Sequence, residues 1–154
     1  MIGKILHINV NPNGGVPKLQ VDKASIHKLG LHYDKQNSKH HGGVDRAVLL
    51  WSIEEISKLQ KEGISITPGS AGENLTVEGL EWDQLKKGDI IRVGRTIVGG
   101  IEYPGSSILQ LTFIAKPCST IGKSFKKITT RWCAKVLQGG DVTVGDSIKV
   151  GPWE

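Results

Sequence analysis

Glycine and proline punctuate this sequence so often that little room is left for long helices. Its 154 residues include 20 Gly and 6 Pro, about one residue in six. These residues end helices and set turns, so the chain reads as many short strands joined by turns, not as a helix bundle. The length suits a single domain over residues 1–154 with its own core. Charged residues make up 23% and hydrophobic ones 38%, a globular and not a disordered balance. Glu102 breaks the longest mostly apolar stretch, 96–115, so no membrane span is expected. Lys4 is followed by no long apolar run, so no secretory signal is read.

Strands are expected at Lys4–Val10, with Leu6, Ile8 and Val10 on one face, at Leu19–Ile26 and at Arg46–Trp51. Further strands are expected at Asn74–Val77, Thr96–Ile101, Ile108–Ile114 and Trp132–Leu137. Gly30–Gly43 is polar, holds three histidines and reads as a long loop. Ser52-Ile53-Glu54-Glu55 has the form of a capping box. Ile53, Ile56 and Leu59 follow on one helical face before Gly63. A short helix is expected within 119–127. The pattern Gly-Asp-x-Ile-basic-Val-Gly occurs at Gly88–Gly94 and again at Gly145–Gly151, which fits a barrel of similar hairpins. The expected fold is mostly β, a partly closed β-barrel of about eight strands with a few short helices.

Cys118 follows Lys116-Pro117 and opens a polar loop, where a thiolate near lysines could react or hold a metal. The plain alternative is a buried thiol acting as a small apolar group, and for Cys133, inside an apolar strand, that alternative is preferred. A disulfide between the two is sterically open but unsupported. Two cysteines make no disulfide scaffold, so a cytoplasmic location is expected. His40 and His41 precede Gly42-Gly43, a pair suited to a tight turn. A zinc set of His32, His40, His41 and Cys118 lacks the usual ligand spacing. Pro68-Gly69-Ser70-Ala71-Gly72-Glu73-Asn74 could cradle an anion, though it is no P-loop. Lys18, Arg46 and Arg131 stand alone beside turns or strand ends, where solvated side chains are commoner than anion sites. The net charge of +5 suits an anionic ligand. No basic-aromatic cluster points to nucleic acid.

Taken in order, these motifs resemble the MOSC domain, named for the C-terminal domain of molybdenum-cofactor sulfurases. The likeness rests on Gly15-Val16-Pro17-Lys18, Gly30-Leu31 with Asp34, and Lys39-His40-His41-Gly42-Gly43-Val44-Asp45-Arg46. It continues through Pro68–Thr76, Gly88–Gly94, Pro117-Cys118, Arg131–Leu137 and Gly145-Asp146. It spans nearly the whole chain. Cys133 departs from the family pattern, which has an aromatic there.

The resemblance implies a MOSC, pyruvate-kinase-barrel-like β-barrel that binds the molybdenum cofactor, a molybdopterin. It implies that Cys118 ligates the metal and is the catalytic residue, as a soft thiolate suits a sulfur-rich metal centre. Lys18 would meet the cofactor's phosphate, with Arg46 and Arg131 as further candidates. Glu73, Asn74 and His41 complete the implied cofactor-binding set, and His41 or Glu73 would supply a proton. The expected activity is that of an oxidoreductase reducing small N-hydroxylated substrates. The chain shows no ferredoxin-type extension and cannot hold an iron–sulfur cluster by four thiolates, so a separate electron-donor reductase is expected. The alternative is a non-catalytic carrier of the cofactor or of sulfur, using a Cys118 persulfide and a cofactor-delivery partner. Neither nucleic acid nor a membrane is an expected partner.

Overall fold

A computed structural model describes residues 1–35, 42–115 and 131–151. Eleven strands are assigned there. They are β1 (Ile2–Val10), β2 (Leu19–Val21), β3 (Lys23–His27), β4 (Gly30–Leu31), β5 (Val48–Ser52) and β6 (Leu75–Glu78), followed by β7 (Ile90–Val98), β8 (Ile101–Ile114), β9 (Trp132–Gln138), β10 (Gly140–Thr143) and β11 (Ser147–Val150). One α-helix, α1 (Ile53–Lys61), and 3-10 turns at Val44–Arg46 and Trp82–Gln84 complete the described elements.

The main sheet runs β11-β7-β8-β9-β5-β6-β1-β2, and a further pairing of β11 with β1 closes it into a seven-stranded barrel with β2 outside the ring. The expected mostly-β barrel with a few short helices is present, and its ring is fully closed. Closure removes free sheet edges. The two copies of the Gly-Asp-x-Ile-basic-Val-Gly pattern lie side by side: Ile91, Arg92 and Val93 of β7 pair with Val150, Lys149 and Ile148 of β11. β5 and β6 form the parallel pair, with α1 in the connection between them. A small sheet, β10-β3-β4, packs against the barrel; its Ile26 and Val142 join the main core with Ile5, Ile8, Leu50, Leu75 and Leu109.

Four local expectations are corrected. In β1 it is Ile5 and Ile8 that are fully buried, and Leu6 only partly. The ladder with β6 slips between Ile5 and His7, and a bulge there resets the alternation. Leu19–Ile26 splits at Asp22 into β2 and β3, which join different sheets. Thr96–Ile101 is no single strand, because Gly99 and Gly100 take φ of 59° and 79° and turn β7 into β8. Both centres of such a two-residue hairpin need positive φ. β5 starts only at Val48, since Val44–Arg46 forms a 3-10 turn.

The helix cap forms: Ser52 Oγ accepts from the Glu55 amide at 3.1 Å, and the Ser52 hydroxyl donates to Glu54 Oε2 at 2.9 Å. Glu54 Oε1 in turn accepts the Gly79 amide at 2.7 Å, which ties the start of α1 to the end of β6. Ile56 and Leu59 of α1 bury against Trp51, Ile66 and Ala71 in a second core.

Candidate functional site

The segment 67–74 leaves this second core and leads into β6. Gly69 and Gly72 take φ of 88° and 83°. A Cβ on Gly69 would lie 2.4 Å from the Lys18 carbonyl oxygen, so only glycine allows the Lys18 amide to donate to the Gly69 carbonyl at 2.9 Å. That contact brings Lys18, immediately before β2, against the Gly-rich segment.

Lys18 Nζ donates to Asp34 Oδ2 at 2.5 Å, with the two side chains only 5% and 3% exposed. Asn74 Nδ2 donates to the same oxygen at 2.9 Å, and the Asn11 amide donates to Asp34 Oδ1 at 2.9 Å. Asn74 also joins the barrel strands. Its Oδ1 accepts the Leu49 amide at 3.0 Å, and its own amide donates to the Leu49 carbonyl at 2.8 Å. Its carbonyl accepts the Asn9 amide at 2.8 Å. An asparagine at the mouth of β6 thus pairs with β5 and β1 where the regular ladder is incomplete.

Glu73 is fully buried. Thr76 Oγ1 donates to its Oε2 at 3.3 Å. Asn9 Nδ2 donates to Thr76 Oγ1 at 3.1 Å and to the Glu73 carbonyl at 3.2 Å. Glu73 Oε1 and Asn9 Oδ1 meet no hydrogen-bond donor among the described residues. Burial pushes the Glu73 carboxyl above the usual carboxylate range, against the opposing pull of the Gly69 amide, its own amide, the Thr76 hydroxyl and the Arg131 charge.

On the other side of the segment, Arg131 Nη1 donates to the Ala71 carbonyl at 2.7 Å, and Arg131 is itself buried. It leads into β9, where the buried Cys133 thiol is pushed up to about 11 by burial, with Arg46 and Arg131 acting against the shift. Arg46 is exposed on its 3-10 turn, and its guanidinium lies 4.8 Å from the centre of the Phe113 ring, a cation–π contact.

Lys18, Glu73, Asn74 and Arg131 therefore meet in one polar cluster, while Arg46 stands beyond Cys133. The sequence reading did not anticipate Asn9 and Thr76, whose signal is a polar residue inside an apolar strand. Cys118, His40, His41 and the helix expected within 119–127 lie outside the described residues. No group of three His, Cys, Asp or Glu placed to hold a metal occurs among the described residues. His32 there packs on the rings of His27 and Tyr33. A surface groove of about 310 Å³ lined by Ile2, Gly3, Lys4, Glu54, Glu78 and Gly79 contains none of the predicted site residues. No described helix is long and apolar enough to cross a membrane.

A family model described as the MOSC domain matches residues 37–149. Protein YiiM of Escherichia coli is 31% identical over 157 residues, covering 92% of this chain and 65% of its own length. A protein of Gibberella moniliformis named Reductase is 23% identical over 125 residues, covering 79% of this chain and 22% of its own. The chain thus spans less than two thirds of these relatives. Among solved structures, the YUAD protein of Bacillus subtilis superposes with a TM-score of 0.77 at 20% identity, over 100% of this chain and 98% of that one.

Proposed function

The chain belongs to the MOSC domain family, and we propose that it binds the molybdenum cofactor and reduces small N-hydroxylated compounds with electrons from a separate donor. One observation carries the reading. Lys18, the Glu73-Asn74 pair and Arg131, from three separate stretches of the chain, meet in a buried polar cluster around a Gly-rich segment. Burying charged groups is costly, and packing alone gives no reason to gather them here.

The donor set fits the group. Two buried cations flank the segment, suited to a phosphate, and the buried Oε1 of Glu73 lacks a donor among the described residues. When bound, the cofactor supplies a metal centre that exchanges an oxygen atom and two electrons with substrate. Cys118 is assigned as the metal's protein ligand, its thiolate matching a soft centre. Arg131 and Arg46 are assigned to the anionic end. The Lys18 ammonium is engaged by Asp34, so Lys18 acts by fixing the segment's position as well as by its charge. Reduction of an N-hydroxyl group consumes two electrons and two protons and yields the amine and water. His41 and Glu73 are the assigned proton-bearing groups.

The test is molybdenum, tungsten and pterin content of protein made in a cofactor-producing host, for the wild type and for Cys118→Ser. About one metal and one pterin per chain, with the metal lost from the variant, is the expected result. If neither protein carries either component, the reading fails. Persulfide formation on Cys118 with a sulfur donor would then favour the carrier role.

A further inference from the structure

Asp34 gathers hydrogen-bond donors from three separate stretches of the chain. The Lys18 ammonium lies 2.5 Å from its Oδ2. The Asn74 side-chain amide donates to the same oxygen at 2.9 Å, and the Asn11 backbone amide donates to Oδ1 at 2.9 Å. All three partners are donors, so the position calls for a group that only accepts, as an ionised carboxylate does. An asparagine there would turn its own N–H against at least one of them.

Each partner leads to a different part of the candidate site. Asn11 braces the loop that delivers Lys18. Its side-chain amide donates to the Gly15 and Pro17 carbonyls, and its own carbonyl accepts the Lys35 amide at 3.0 Å. Asn74 engages the Leu49 amide and the Asn9 carbonyl with its remaining side-chain groups, which fixes the face it turns to Asp34.

Lys18 is tied at both ends, by its backbone amide to the Gly69 carbonyl and by its ammonium to Asp34. Its stem passes Gly72, where a Cβ would stand 3.9 Å from Lys18 Cε. An ammonium carries three donors. Asp34 is the acceptor that Lys18 Nζ meets among the described residues, which leaves two N–H groups turned away from the carboxylate. A free lysine side chain loses much rotamer freedom when a ligand immobilises it. Here the fold has already imposed that loss.

We propose that Asp34 is a positioning residue of the proposed site, holding the Lys18 ammonium beside Gly72 so that two of its N–H groups serve the oxygens of a phosphate monoester. Asp34 itself does not touch the ligand; it acts through Lys18. That role rests on the proposed function only in taking a phosphate-bearing ligand. Charge alone predicts the opposite sign: a carboxylate beside the ammonium repels an anion, so removing it would strengthen binding.

Inorganic phosphate is the probe. The readout is the 15N resonance of Lys18 Nζ in the full chain, assigned as the signal missing from Lys18→Arg. In the wild type it is expected to shift with phosphate and to saturate. In Asp34→Asn, at a temperature where circular dichroism shows it folded, the half-saturating concentration is expected to rise about tenfold or more, as for other supporting residues behind a ligand-binding group. Asp34→Glu keeps the charge but moves the acceptor by one methylene. It is expected to weaken binding too, and it decides the matter should Asp34→Asn fail to fold. A Lys18 signal that ignores phosphate, or a folded variant that binds as tightly as the wild type or more tightly, would overturn the proposal, because a pair that only holds the fold together gives those results. Failure of the cofactor reading shows separately, in the metal and pterin content of the wild type.

Discussion

Lys18 looks in the sequence like a lone basic residue beside a turn, and its resemblance-based role is to meet a phosphate. The structure gives it Asp34, sixteen positions away. No spacing rule could reveal that pair, because it forms only once β2 and the loop after β4 fold onto the segment before β6. Breaking a buried pair strands the remaining charge. Asp34→Asn is therefore expected to destabilise the protein by about 3–5 kcal/mol in urea unfolding, whereas Lys18→Met with Asp34→Leu should recover most of the loss. If Asp34→Asn left stability unchanged, the pair would be serving something other than the fold. Cys133 was legible as a core residue from its apolar strand. With its thiol pushed up to about 11, only about one molecule in a thousand carries a thiolate near pH 8. Iodoacetamide should therefore modify Cys133 only after unfolding, as peptide mass mapping would show; modification of native protein at the rate of a free thiol would contradict that.

At the scale of elements, what the sequence made legible was local chemistry, and what it hid was long-range register. The Ser52 cap and the face of α1 followed from residues three and four apart. The bulge in β1 and the Glu54–Gly79 tether depend on a partner strand, so periodicity within β1 could not show them. Ser52→Ala should cost about 1 kcal/mol of stability. Gly69 and Gly63 offer a paired comparison, with φ of 88° and 86°. Nothing lies within 4 Å of a Cβ on Gly63, whereas one on Gly69 meets the Lys18 carbonyl oxygen at 2.4 Å. Gly63→Ala should cost about 1 kcal/mol, the conformational term alone. Gly69→Ala should cost at least about 2 kcal/mol, and it should push Lys18 away from the segment. Equal thermal shifts for the two variants would show that the close approach at Gly69 is not tight in solution.

At the scale of the whole molecule, the punctuation and the repeated Gly-Asp pattern made a barrel readable. They did not show that the two copies of the pattern would lie side by side near the β1–β11 closure. Closure matters to the site because the site is built from two kinds of backbone. Asn9 and Asn74 are fixed in strand-to-strand hydrogen bonds between β1, β6 and β5. Between them and Arg131 runs the segment 68–73, held by a handful of single contacts from Lys18, Arg131 and Thr76. Native-state hydrogen exchange should separate these populations. The Asn9 and Asn74 amides, which donate to Asn74 and Leu49 carbonyls, should exchange only with global unfolding. The amides of Ser70 and Gly72, bonded within the turn itself, should exchange through local opening several orders of magnitude faster. β2 lies outside the ring, with Leu19 64% exposed, and should open at intermediate cost. If Ser70 and Gly72 were as protected as Asn74, the segment would be part of the rigid barrel, and a bulky ligand would have to fit the site as it stands. If they open first, a rigid polar base and a yielding Gly-rich wall can admit such a ligand without unpairing the barrel strands.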